Sequence, residues 1–137
     1  DETQPDVMTK WIRVGRCGST VCARYYNRVL ADLEQSAAHD ATGQTRFVSE
    51  VLTEYSEPIS FTKQWKHEAI NAWISAVEQK KFKMPRIKSL EKTIRYLTWE
   101  QCFSSTVHLP DEVASLILAW WARRRVMKNL NIGTFKF

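Results

Sequence analysis

The stretch from Leu109 to Gly133, LPDEVASLILAWWARRRVMKNLNIG, carries more helix signals than any other part of this chain. Pro110 stands where a first turn tolerates a missing N–H. Asp111 and Glu112 sit by the positive end of the helix dipole, cations gather in the later turns, and Gly133 is placed as a C-terminal stop. Leu116, Ile117 and Trp120 fall together and predict a core-facing stripe. The second half changes character, with Arg123, Arg124, Arg125 and Lys128 crowding the helix.

The rest of the chain supports a mainly helical reading. Only four Gly and four Pro are present among 137 residues, too few for the many tight turns of a sandwich or barrel. Ser19 is a good N-cap, and Val21/Cys22, Tyr25/Tyr26, Val29/Leu30 and Leu33 recur every four residues. They predict a helix ending near Ala38, before the polar run HDATGQ. Phe47, Val48, Val51, Leu52 and Tyr55 signal a second, shorter helix that the Glu57-Pro58 step should stop.

A third helix begins near Ser60 or Thr62, with Trp65, Ala69, Trp73, Ala76 and Val77 on one face and Ile70 and Ile74 widening it. Lys66, Glu68, Asn71 and Glu78 are assigned to solvent. Lys80 to Arg86 reads as a basic loop punctuated by Pro85. From Ile87 a fourth helix turns Leu90, Ile94, Leu97 and Tyr96 inward. Thr98 and Gln101 have the spacing of a capping box, so the helix either kinks or restarts there. Lys10 to Val14 and the terminal NIGTFKF alternate like short strands, and their pairing would form a ribbon near the termini.

The expected fold is therefore mainly α: a single domain over residues 1–137, an irregular bundle of about five helices with a short two-stranded ribbon near the termini. Residues 1–9 form a flexible or docked tail. No apolar run reaches the roughly 18 residues that a membrane span needs. Cys17, Cys22 and Cys102 are an odd number, which points to free thiols and an intracellular, reducing compartment.

Chemistry-bearing motifs are weak throughout. Cys17 and Cys22 are spaced too widely for a zinc hairpin and lack a second ligand pair, so no metal site is expected. Cys102 with His67 or His108 has neither an oxyanion turn nor a group to orient the base, so no catalytic residue is expected either. Gly15 and Gly18 match no phosphate-binding spacing, and neither a cofactor nor a small-molecule substrate is implied.

Charge is the informative property. Residues 1–60 carry six basic and nine acidic side chains, and residues 61–137 carry fourteen and six, so the halves are −3 and +8. Lys80, Lys81, Lys83, Arg86, Lys88, Lys92 and Arg95 fall within sixteen residues whose one acid is Glu91. Trp, Tyr and Arg are the side chains that most often anchor interfaces. The leading expectation is a non-catalytic helical subunit or interaction domain of a larger assembly, with a protein partner or self-association through Trp99, Trp121, Arg123, Arg124 and Arg125. Trp65, Trp73 and Trp120 are assigned to the core. The alternative is RNA or DNA binding through the Lys80–Arg95 cluster together with Lys128 and its neighbouring arginines.

Overall fold

The computed structural model describes residues 6–8, 19–33, 37–42 and 56–135, with side chains described at 7–8, 21–31, 37–42 and 56–123. Helices dominate: α1 (Ser19–Leu33), α2 (Lys63–Glu78), α3 (Lys88–Arg95), α4 (Trp99–Phe103) and α5 (Asp111–Phe135). Two small parallel ladders accompany them. β1 (Asp6–Val7) pairs with β4 (Phe82–Lys83), and β2 (Ala37–Asp40) pairs with β3 (Ser56–Ile59). The chain divides into two compact units, one of residues 1–15 and 62–114, the other of 16–61 and 115–137.

In the first unit, α2 starts where Thr62 accepts a hydrogen bond from the Trp65 N–H at 3.1 Å, a conventional N-cap. Its buried positions are Lys66, Ala69, Ile70 and Trp73, spaced i, i+3, i+4 and i+7 on one face. The inward face is thus the middle of the expected stripe, narrower than expected and including Lys66. Ile74 and Val77 are exposed, Trp65 is half-buried, and Lys66, assigned to solvent from its charge, is only 3% exposed.

The helix ends in a Schellman motif. Lys81 N–H donates to Ala76 O at 2.8 Å and Lys80 N–H to Val77 O at 3.0 Å, with Lys80 in the left-handed region at φ 58°. Lys80 therefore occupies the position where glycine is favoured. The reversal feeds β4, so the expected basic loop contains a two-residue strand. That strand docks on Asp6 and Val7, and Met8 N–H donates to Lys83 O at 2.8 Å. The N-terminal segment is docked at these residues. Trp73 packs edge-on against Phe82, 6.5 Å between ring centres, which ties α2 to β4.

Leu90 is the fully buried residue of α3. Tyr96, expected inward, is instead 71% exposed. A 100° step per residue explains this: Leu90, Ile94 and Ile87 cluster on one side, while position 96 falls close to Lys88 and Lys92 on the other. The Thr98–Gln101 capping box forms in full, with Gln101 N–H to Thr98 Oγ1 at 3.2 Å and Thr98 N–H to Gln101 Oε1 at 2.9 Å. Two helices result, with the second restarting at Trp99. Leu109, Cys102 and the first turn of α5, through Val113, are buried as well.

In the second unit α1 ends at Leu33, and Ala37–Asp40 form β2, where the end of the helix at Ala38 and the start of a polar loop were expected. His39 stands opposite Pro58 in its register, so the Glu57-Pro58 step lies in a strand. Pro58 is tolerated because among the described residues the ladder has two strands, so its missing N–H can face away from the partner. The expected helix around Phe47 to Tyr55 and the expected strand at Lys10 to Val14 lie outside the described residues.

Leu116, Ile117, Leu118, Trp120 and Ala122 are buried on several sides of α5. The helix runs through Gly133 to Phe135, so neither the C-terminal stop nor the terminal strand forms. Gly133 is accommodated inside the helix at the roughly 1 kcal/mol that a glycine costs relative to alanine there. Cys22, read as a free thiol, is disulfide-bonded. Cys102 is a free, buried thiol. No helix among the described residues is long and apolar enough to cross a membrane.

Candidate functional site

The first unit carries the cations that the sequence singled out. Lys80, Lys81, Lys83, Arg86, Lys88, Lys92 and Arg95 are all exposed there. Glu91, the one acid among them, is engaged by Arg86, whose Nε donates to Glu91 Oε1 at 3.3 Å. On α3, Lys88, Lys92, Arg95 and Tyr96 occur at i, i+4, i+7 and i+8, a single stripe opposite Leu90. Lys92 and Arg95 lie in the helix's last turn, where the dipole favours positive charge, while Lys88 is its first residue.

Aromatic rings follow this stripe on the next helix. Trp99, three residues beyond Tyr96, is 64% exposed. Its indole leans on Phe103 with ring centres 5.6 Å apart and planes at 51°, and Phe103 in turn meets the His67 imidazole at 4.6 Å. This row links α4 to α2 and fixes the direction of Trp99 without stacking a second ring flat on its face. Such a face can attract a polyanion and offer planar apolar surface to it.

Behind the row lies Lys66. Its Nζ donates to Ser104 O at 2.9 Å and Val107 O at 3.0 Å, so a buried ammonium holds the segment that follows α4. Burial pulls the Lys66 pKa below its ordinary value, an effect partly opposed by the neighbouring Cys102. The Cys102 thiol is pushed up by burial and drawn back in part by the Lys66 charge. Both effects disfavour charge separation here. The pair positions α4, and Cys102 is a poorer nucleophile than an exposed thiol.

The second unit holds a different polar cluster. His39 Nδ1 and Ser56 Oγ are hydrogen-bonded at 2.9 Å, both buried, and Tyr26 OH donates to Ala38 O at 3.3 Å. Burial raises the Tyr26 pKa, with a Ser56 hydrogen bond lowering it in part. Burial also lowers the His39 pKa against the opposing pull of Asp40. Asp40 Oδ1 accepts from Thr42 N–H at 2.8 Å and serves its own turn. The serine and imidazole are screened from solvent, so the group braces β2, β3 and α1.

The remaining predicted residues belong to α5 in the second unit. Arg123 is exposed and Trp121 half-buried, while the side chains of Arg124, Arg125 and Lys128 lie outside the described residues. Of the three tryptophans assigned to the core, Trp73 and Trp120 are buried. Among the described residues no group of three His, Cys, Asp or Glu is placed to hold a metal ion. Lys66 and Tyr96 were misplaced by residue type, although position held the signal. Lys66 precedes Ala69, Ile70 and Trp73 by three, four and seven residues, and Tyr96 follows Lys88 and Lys92 by eight and four. No protein-family model, curated protein or solved structure matches this chain.

Proposed function

We propose that this chain is a non-catalytic docking domain, a helical subunit that joins a larger assembly through the cationic, aromatic-bearing surface of α3 and α4. One observation carries the reading: Tyr96 and Trp99 stand 71% and 64% exposed within four residues of Arg95, directly after the helix that carries the exposed Lys88 and Lys92. Large rings left in water cost hydrophobic free energy that a partner recovers by covering them, and each can remove about 150–250 Å² from solvent. The cations steer an anionic partner toward that position.

The test is hydrodynamic. In extracts of cells that make it, the chain should migrate well above its monomer position, and a Tyr96→Ala/Trp99→Ala variant should fall to that position while keeping its helical circular dichroism. A wild-type chain that migrates as a monomer at every protein concentration refutes the proposal.

A further inference from the structure

We infer that the partner at this face is a single-stranded nucleic acid, its phosphates held by Lys88, Lys92 and Arg95 and its bases stacked on Tyr96 and Trp99. The inference rests on the docking function proposed above and names the chemistry of what docks.

Composition and geometry decide between a polynucleotide and an acidic protein. Protein interfaces are depleted of lysine, and their anchoring rings sit in an apolar centre. Here five of the seven clustered cations are lysines. The exposed rings are flanked by Arg95, Thr98 and Glu100, all exposed, and the apolar Leu97 between them is half-buried rather than an open part of the face. Point charges interleaved with open ring faces are what a sugar-phosphate strand with unstacked bases requires.

A duplex fits less well, because its bases are already stacked and present no free face to the rings. Tyr96 and Trp99 are three residues apart, so their Cα atoms lie within about 11 Å of each other. Neighbouring or next-neighbouring bases of an open strand span that separation. The tilted contact of Trp99 on Phe103 leaves the exposed indole oriented in advance, which reduces the ordering cost of stacking.

The experiment titrates the full chain into a fluorescein-labelled oligouridylate of about 12 nucleotides, within the usual site size of such surfaces, and follows anisotropy. With three phosphates neutralised, raising salt from about 50 to 200 mM should weaken binding roughly twentyfold. Trp99→Ala and Tyr96→Ala should each weaken it about fivefold or more at constant salt, and Trp99→Phe should retain most of it. Lys92→Ala should lower the slope of log affinity against log salt by about 0.7.

Three outcomes overturn the inference. One is no detectable binding at low salt. Another is wild-type affinity in both alanine variants. The third is equal competition by polyglutamate or by a duplex of the same length, the mark of plain ion exchange. If the oligonucleotide fails while the Tyr96→Ala/Trp99→Ala variant still drops out of its assembly, the partner class is wrong and the docking function stands. A wild type that is monomeric in extracts and binds no oligonucleotide refutes both.

Discussion

Replacing Lys66 by methionine removes the ammonium that holds the end of α4 while keeping an unbranched apolar stem of similar length. Two hydrogen bonds from a charged donor are lost, to Ser104 O and Val107 O. At roughly 1.5–3 kcal/mol each, this is a gross loss of several kcal/mol. Two effects offset it. The folded protein no longer keeps the ammonium of a side chain that is only 3% exposed, and that desolvation costs on the order of several kcal/mol. The freed carbonyls also rehydrate in part, since Ser104 is half-buried and Val107 is 40% exposed.

The net expectation for Lys66→Met is a destabilisation of about 2 kcal/mol. Lys66→Ala should cost about 1–2 kcal/mol more, through the cavity left by its missing methylenes. Urea unfolding followed by Trp fluorescence measures both, with the denaturant slope unchanged if only stability moves. A methionine variant within about 0.5 kcal/mol of wild type, or more stable than it, refutes the argument that these two bonds outweigh the burial of the charge. The same variant should lower the affinity of the α3–α4 face, because Lys66 holds the segment that ends the helix carrying Trp99.

Two further outcomes follow from local geometry. Lys80→Gly places the residue favoured at φ 58° in the Schellman position and should raise the urea midpoint by the equivalent of roughly 1 kcal/mol, while removing one cation from the surface; a lower midpoint would refute the strain assigned to Lys80. His39 has a pKa below its ordinary 6.5, so as pH falls through 6.5 the unfolded chain takes up the proton first and stability declines, whereas above 6.5 the contribution is constant. His39→Asn should flatten the pH dependence of the urea midpoint between neutral and mildly acidic conditions, and an unchanged slope would show that other groups carry it.

Periodicity was informative where type and position agree, and misleading where they conflict. Leu116, Ile117 and Trp120 were legible because an apolar residue on an apolar face has one place to go. Lys66 was not, because its charge argues for solvent while its spacing argues for the core. The deciding fact, two carbonyls 38 and 41 residues away, is invisible in a local window. β2 was hidden for a related reason. Ala37 and Ala38 read as the end of a helix and His39 and Asp40 as the start of a polar loop, yet His39 and Ser56 satisfy each other across the ladder, and a buried polar pair costs little once hydrogen-bonded. The disulfide at Cys22 was missed because an odd count was taken to describe every cysteine at once.

The break between α3 and α4 is what makes the candidate face more than a charged helix. Had the helix run on without interruption, a 100° step would place Trp99 near the bearing of Lys88 and Lys92, on the solvent side with no tertiary neighbour to hold it. Such a ring would sample several rotamers and would have to be ordered on binding, at a cost of about 0.5–1.5 kcal/mol. The Thr98–Gln101 capping box ends that continuity and starts a new axis. On the new axis Trp99 meets Phe103 one turn later, Phe103 meets His67 on α2, and the adjacent Lys66 grips the exit of the short helix. The capping residues therefore set the direction of the ring as well as the end of a helix. Thr98→Ala should lower affinity for a stacked ligand beyond the roughly 1 kcal/mol that losing a cap takes from stability. Equal losses in binding and stability would mean that the ring's direction does not depend on the cap.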